Sequence, residues 1–177
     1  MTRIFLLGYM AAGKTTLGSV AAKLLGVEFI DLDLYIEQRY YTTITDLFAE
    51  HGEQGFREIE QRMLHEVGEF EDVLISCGGG TPCFFDNIDY MNRQGVTVWL
   101  DASVDILVRR LGENREKRPI VANKTDEELR AFIEEALAKR IPYYCQARYT
   151  FQANHLDTKE EINESIGQFV RQLSANG

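Results

Sequence analysis

Five short apolar runs alternate along the chain with longer amphipathic segments, and this alternation limits the possible folds more than any other feature. The apolar runs, which we predict to be strands, are RIFLLG (3–8), EFIDLD (28–33), VLISC (73–77), VTVWL (96–100) and YTFQA (149–153). The predicted helices cover 13–26, 34–41, 45–69 with a break near HGEQG, 85–94, 103–111, 125–141 and 159–173. Strands that alternate with helices favour a parallel sheet covered on both faces. A chain of 177 residues without linker or repeat suits a single α/β domain over 1–177.

The charge and the cysteine content argue against several classes of protein. The formal net charge is −9 at pH 7, whereas proteins that bind nucleic acid carry a basic surface. No apolar run is long enough for a membrane span, and the first one is too short for a signal peptide. Three cysteines without a CxxC pair favour reduced, buried thiols over disulfides or a zinc site. We therefore expect a cytoplasmic protein. A monomer is also expected, although none of these features bears on the oligomeric state.

The segment between the first predicted strand and the first predicted helix matches G-x-x-x-x-G-K-[ST] at residues 8–15. Such a loop binds phosphate oxygens with its backbone N–H groups, and the helix dipole assists. Lys14 is expected to reach the β and γ phosphates, Thr15 to coordinate Mg²⁺, and Thr16 to lie near the α-phosphate. The residues expected to line the nucleotide are Gly8, Ala11, Ala12, Gly13, Lys14, Thr15 and Thr16.

A loop of this kind occurs in kinases, GTPases and motors, so it does not identify the acceptor of the phosphoryl group. Residues 123–126, Asn-Lys-Thr-Asp, formally match the N-K-x-D pattern of GTPases. They precede a predicted helix, with Thr125 as its N-cap, and do not follow a strand. This position disfavours a GTPase.

Three further segments carry polar or glycine-rich patterns that could bind an acceptor. Asp31 and Asp33 end the second predicted strand, where a period of two places both carboxylates on one side. One could serve magnesium and the other could accept a proton, although a solvated pair would show the same pattern. Arg57 and Glu60 share a helix face and could equally form a surface ion pair. Three glycines at 78–80 exceed what a turn requires and let backbone N–H groups approach a ligand closely.

Taken together, these segments resemble the shikimate kinase family. The matching segments are GxxxxGKT at 8–15, DxD at 31–33, GFRxxE at 55–60, GGG at 78–80, RP at 118–119 and the first four positions of R-x-P-x-Y at 140–143. They follow the family's order and spacing over nearly the whole chain. Related small-molecule kinases such as gluconate kinase generally lack the GFR and GGG pair. The resemblance implies transfer of a phosphoryl group from ATP, with Mg²⁺, to the 3-hydroxyl of shikimate.

The resemblance also implies how the acceptor is held. Asp33 would bind the shikimate hydroxyls and is the leading candidate for the base, while Asp31 would lie nearer magnesium. Arg57 and Arg140 would bind the carboxylate, a planar anion that suits bidentate guanidinium groups, and Glu60 would orient Arg57. The ring hydroxyls would also meet the backbone of three glycines, Gly78, Gly79 and Gly80.

The polar segment at about 112–124 lies between two predicted helices and could be a solvated surface loop, but beside a phosphate-binding loop we expect a mobile lid that excludes water. The resemblance implies that Arg118 comes from this lid to stabilise the transferring phosphoryl group and that Arg110 lies along the adenine. One departure is Ala11, which fills a position that is often glycine in the family. Two alternatives stay open: a kinase for another small polyol or sugar acid such as gluconate, and a nucleotide-binding sensor without turnover. The residues expected to be catalytic are Lys14, Asp33 and Arg118.

Overall fold

The five predicted strands form one parallel sheet. In a computed structural model, which describes residues 2–113 and 121–175, they are β1 (Arg3–Leu7), β2 (Glu28–Asp31), β3 (Val73–Ser76), β4 (Val96–Asp101) and β5 (Tyr149–Gln152). Their order in the sheet is β2-β3-β1-β4-β5, and each neighbouring pair is parallel. Nearly every residue of β1 and all of β3 are buried, which requires helices on both faces of the sheet. This confirms the predicted α/β domain.

Seven α-helices surround the sheet in the described part of the chain. They are α1 (Lys14–Leu25), α2 (Leu32–Tyr40), α3 (Ile44–Gly68), α4 (Asn87–Gln94), α5 (Val104–Glu113), α6 (Asp126–Tyr144) and α7 (Lys159–Ala175). Local signals account for several boundaries. Gly26, with φ 68°, ends α1, and Thr125 opens α6 with a capping box to Glu128. Gly52, also with φ 68°, interrupts α3 near the predicted break.

The second strand is shorter than predicted. It ends at Asp31, and Asp33 lies in the first turn of α2. The Asp31 carboxylate accepts hydrogen bonds from the backbone N–H groups of Asp33 (3.1 Å) and Leu34 (3.2 Å). Aspartate is a strong N-cap, and this capping prevails over the apolar pattern that favoured a strand. The expectation that a strand's period of two aligns the two carboxylates was therefore wrong.

Three helices also extend beyond their predicted ends, of which α7 does so by two residues, to Ala175. Helix α5 continues to Glu113, so residues 112 and 113 are helical and the predicted lid does not begin at 112. Helix α6 continues past Pro142 to Tyr144. At the other end of the predicted lid, Val121 is fully buried and packs in the core.

The cysteines differ from one another in exposure. All three are free thiols, but only Cys77 is buried, while Cys83 is half-buried and Cys145 is exposed. The prediction of buried thiols was therefore wrong for Cys145. Among the described helices, none combines the length and the apolar character that a membrane span requires.

The sheet order brings three important segments to one edge. Ser76 of β3 is aligned with Asp31 of β2 on one side and with Leu6 of β1 on the other. The carboxyl ends of these three strands therefore lie side by side. The loop after β1, the turn after β2 and the three glycines after β3 all leave the sheet there, at the edge where open α/β sheets bind ligands.

Candidate active site

A cavity of about 700 Å³ opens at this edge of the sheet. It is large enough for a nucleotide-sized ligand. Its walls come from the loop after β1, the ends of β2 and β3, the end of α5 and the segment before α7. The lining residues are Met10, Ala11, Gly13, Lys14, Thr15, Thr16, Asp31, Asp33, Ser76, Cys77, Gly78, Gly79, Arg110, Glu113, Leu156 and Asp157.

The loop after β1 has the backbone of a tight anion-binding turn. Gly8 and Gly13 have positive φ values of 147° and 99°, and Ala11 has a φ of 65°. The left-handed region is costly for a residue with a side chain, which explains why glycine suits the position of Ala11. The Nζ of Lys14 donates to the carbonyl oxygens of Gly8 (2.8 Å) and Tyr9 (3.1 Å). The lysine therefore lies across the loop, close to where the pattern places phosphate.

Thr15 and Asp31 provide a pair of oxygen atoms on the cavity wall. The Thr15 hydroxyl lies 3.3 Å from Oδ2 of Asp31, while Oδ1 of Asp31 caps α2. A hydroxyl and a carboxylate are ligands that suit Mg²⁺, which keeps several waters and also uses substrate phosphates. No cluster of three or more His, Cys, Asp or Glu residues that could hold a metal occurs in residues 2–113 and 121–175. The two oxygens therefore fit a magnesium ion held mainly by nucleotide and water.

Asp33 projects into the same cavity from the first turn of α2, only two residues after Asp31. Although the open cleft leaves it accessible to water, the surrounding protein raises the pKa of its carboxyl to about 6. Partial burial is the largest cause, followed by repulsion from Asp31 and Glu60, and Lys14 opposes the shift. A carboxylate with this pKa is a better proton acceptor than an ordinary aspartate and is still largely ionised at neutral pH.

Each of the three glycines after β3 leaves room for a different polar side chain. A Cβ on Gly78 would lie 3.2 Å from Oδ1 of Asp33 and 3.2 Å from Oε1 of Glu60. On Gly79 it would lie 2.9 Å from a guanidinium nitrogen of Arg140, and on Gly80 2.6 Å from one of Arg57. Larger residues would push these side chains away. The glycine run therefore lets the predicted acceptor-binding residues converge.

Arg57 and Glu60 form a buried ion pair, not a surface pair. The distance between Nη1 of Arg57 and Oε2 of Glu60 is 2.7 Å, and their side chains are 12% and 2% exposed. The hydroxyl of Thr81, which is fully buried, donates to the other Glu60 oxygen at 2.6 Å. Nε of Arg57 is buried without a hydrogen-bond partner. Glu60 therefore orients Arg57, and one donor of Arg57 is left unsatisfied by the protein.

Arg140 is held in a different way. Its guanidinium lies over the ring of Tyr9, 5.2 Å from the centroid. Within the part of the chain that the structure describes, no carboxylate oxygen lies within 4.0 Å of it. The nearby Tyr144 hydroxyl donates to the carbonyl of Gly79 at 2.5 Å. Tyr144 occupies the last position of R-x-P-x-Y, so the pattern is complete and its final residue was overlooked in the sequence.

On the nucleotide side, Arg110 is fixed at the cavity wall. Its Nε lies 2.7 Å from Oδ1 of Asp157, and its Nη1 donates to the Ala11 carbonyl at 3.2 Å. No sequence pattern indicated Asp157, because its contact with Arg110 forms only when the chain folds. Arg118, the arginine expected from the lid, lies outside the described residues, as does most of the lid itself.

A parallel sheet with a phosphate-binding loop after its first strand, bordered by polar side chains from other segments, defines the chain as a P-loop protein with room for a second ligand beside the nucleotide. Residues 10–171 match the shikimate kinase family model. Shikimate kinases from Phocaeicola vulgatus and Bacteroides fragilis are 55% and 54% identical to the chain, each over 98% of it and over 99% and 97% of their own lengths. The chain therefore belongs to the shikimate kinase family.

Solved structures agree with this assignment. The crystal structure of shikimate kinase from Bacteroides thetaiotaomicron matches with a TM-score of 0.95 at 53% identity, covering 98% of both chains. Shikimate kinase from Acinetobacter baumannii, solved in complex with shikimate, matches with a TM-score of 0.83 at 29% identity, over 99% of this chain and 95% of the other.

Proposed function

We propose that this protein transfers the γ-phosphoryl group of ATP to the 3-hydroxyl of shikimate, giving shikimate 3-phosphate. The observation that carries the proposal is the convergence of Asp33, Arg57 and Arg140 on three consecutive glycines beside the phosphate-binding loop. A hydroxylated acid needs a carboxylate to receive the hydroxyl proton and cations to hold its own carboxylate. Asp33 supplies the first and the two arginines supply the second, around a run of glycines of which Gly78 and Gly79 line the cavity.

On the nucleotide side, backbone N–H groups of the loop would bind the phosphates, and Lys14 would turn from the loop carbonyls to the β and γ phosphates. Thr15 and Asp31 would hold Mg²⁺, which would offset the negative charge of the phosphates. Arg110 would lie along the adenine, where Asp157 fixes its guanidinium. Thr16, exposed at the start of α1, would lie near the α-phosphate.

On the acceptor side, Arg140 and Arg57 would bind the shikimate carboxylate. Arg140 has no carboxylate partner among the described residues, and Glu60 accepts a hydrogen bond from only one nitrogen of Arg57, Nη1. Asp33 would accept the proton of the 3-hydroxyl group while the oxygen of that hydroxyl bonds to the γ-phosphorus. The bond from that phosphorus to the bridging oxygen then breaks, and ADP leaves with that oxygen.

The lid, expected at about 112–124, is proposed to begin after α5, which ends at Glu113. Arg118 would stabilise the charge of the transferring group. In other P-loop enzymes, such an arginine raises kcat by about 10³-fold or more. The Arg118→Ala variant is expected to keep the melting temperature of the wild type but to lose most of kcat. Near-normal turnover would remove Arg118 from the catalytic residues. A cytoplasmic location and a monomeric state stay predictions.

The test of the function is ADP release from ATP and magnesium with shikimate, without an acceptor, and with gluconate. The proposal is supported if ADP release is fast only in the reaction that contains shikimate. Fast release with gluconate alone would assign the protein to another small-molecule acceptor. Slow release in all three reactions would overturn the assignment of shikimate as the acceptor, and binding measurements would then test the nucleotide-binding sensor.

A further inference from the structure

The turn that follows the three glycines also packs against Arg57. This turn comprises Gly80, the one-turn 3₁₀ helix Thr81–Cys83 and Phe84. At its start, the Gly80 backbone lies so near the guanidinium that a Cβ would be 2.6 Å from Nη2. At its end, the ring of Phe84 lies 4.1 Å from Cζ of Arg57. Both ends of this short segment therefore lie close to the guanidinium.

Phe84 makes the shortest of three aromatic contacts to this guanidinium. The rings of Phe56 and Phe48 lie farther away, at 5.4 Å and 5.8 Å from Cζ, and stack on each other. A guanidinium within about 6 Å of a ring centroid is attracted by the negative face of the ring, most strongly in a dry environment. Arg57 is 12% exposed. Phe84 therefore limits the orientation of Arg57 from a direction that Glu60 does not control.

The ion pair with Glu60 alone does not determine where Arg57 points. Glu60 contacts Nη1 at 2.7 Å, which leaves rotation about that contact open. The Phe84 ring, at 4.1 Å from Cζ of Arg57, restricts this rotation. A fixed orientation favours a bidentate contact between the planar guanidinium and a carboxylate.

We propose that Phe84 is a positioning residue for substrate binding: it stacks on Arg57 and holds the guanidinium in the orientation that binds the acceptor's carboxylate. The inference rests on the proposed function, because the carboxylate in question is that of shikimate. Phe84 acts through Arg57 and is distinct from the residues that contact the nucleotide.

The test compares Phe84→Leu with Phe85→Leu. Phe85 is the adjacent residue and is 50% exposed, with no described contact to Arg57. Phe84→Leu is expected to raise KM for shikimate by about 5- to 10-fold, while KM for ATP stays within about twofold. Phe85→Leu is expected to leave both constants unchanged. The ring-retaining Phe84→Tyr should restore KM for shikimate to within about twofold of wild type.

Shikimate methyl ester, which lacks the charged carboxylate, separates positioning from general loosening of the pocket. Its inhibition constant against shikimate should be nearly equal for wild type and Phe84→Leu, because Arg57 has no anion to bind. An equal loss of affinity for shikimate and the ester would overturn the proposal, as would a Phe84→Leu enzyme with an unchanged KM. If Phe84→Leu fails to fold, Phe84→Met, whose unbranched and flexible side chain adapts to an irregular space, is measured with the same expectations.

Measurements with the ester also distinguish a failure of this inference from a failure of the proposed function. If wild type binds the ester as tightly as shikimate, the acceptor's carboxylate is not recognised and the proposed acceptor site itself fails. If wild type discriminates strongly but Phe84→Leu behaves like Phe85→Leu, the acceptor site stands and only the role of Phe84 is refuted.

Discussion

The two halves of the cleft are built in different ways. The nucleotide half comes mainly from one contiguous segment, residues 8–16, whose function depends on backbone conformation and one lysine. The acceptor half combines Asp33 from α2, Arg57 and Glu60 from α3, Arg140 from α6 and three glycines after β3. A continuous segment can bind phosphate through local geometry, whereas a small hydroxylated acid is recognised by side chains that only the fold brings together. The two halves should therefore respond differently to substitution.

The largest expected effect lies in the nucleotide half. Replacing Lys14 with Met removes the charge nearest the β and γ phosphates, and kcat should fall by about 10³-fold. The dissociation constant of shikimate, measured by calorimetry without nucleotide, should change less than about twofold. Lys23→Met is the matched control, since Lys23 is exposed near the other end of α1. A comparable loss of shikimate affinity in Lys14→Met would contradict the separation of the halves.

The acceptor half should show the opposite pattern. Arg57→Ala and Arg140→Ala are each expected to raise KM for shikimate by about 100-fold, because each removes a charged partner of the carboxylate. KM for ATP should stay within about twofold. Arg62→Ala, an exposed arginine on α3, provides the control. Steady-state kinetics with each substrate varied in turn measures these effects.

The same two arginine variants should differ in stability. Arg57→Ala leaves the buried Glu60 carboxylate without its ion-pair partner, which should lower the free energy of unfolding by about 3 kcal/mol. Arg140→Ala leaves no described carboxylate unpaired, so its free energy of unfolding should fall by only about 1 kcal/mol. Urea unfolding of the unliganded variants tests this. Equal losses would mean that Glu60 does not depend on Arg57.

Asp33 links the two halves, and its raised pKa predicts how stability depends on pH. With a pKa of about 6 in the folded protein and about 4 in the unfolded chain, the folded state binds the proton more tightly. The contribution of Asp33 to stability is therefore fully present below pH 4 and is lost as the pH rises through 6. Asp33→Asn should gain melting temperature relative to wild type over this range, without nucleotide or metal, and the gain should be constant above pH 7. A difference that does not vary with pH would refute the raised pKa.

The smallest effect is expected from Ala11→Gly. Glycine removes the cost of the left-handed φ of 65° at Ala11 but loses more entropy on folding, so the free energy of unfolding should rise by less than about 1 kcal/mol. Ala12, the next residue, is 1% exposed and is not among the described residues with positive φ. Ala12→Gly should therefore destabilise the protein by about 1 kcal/mol. If both variants lose stability, backbone strain at Ala11 is not significant.

Sequence patterns predicted well wherever a physical signal is local. The N-cap at Thr125, the end of α1 at Gly26 and the break near HGEQG each depend on a few nearby residues, and all are confirmed. The prediction of a strand through Asp33 was wrong because a short apolar run fits a strand or a helix start equally well. The side chain of Asp31 decided in favour of the helix start, because it accepts hydrogen bonds from the backbone N–H groups of Asp33 and Leu34 as an N-cap.

Within the active site, the sequence by itself determined the phosphate-binding loop, since its residues are adjacent and their geometry is local. It also supplied the set of acceptor residues, but only through resemblance to a family. Tertiary structure decided that Arg57 and Glu60 form a buried pair, that each glycine accommodates a different side chain, and that Thr81, Phe84 and Tyr144 support the site. These contacts join residues far apart in the chain, and burial gives them their strength, because ion pairs and polar contacts weaken when water surrounds them.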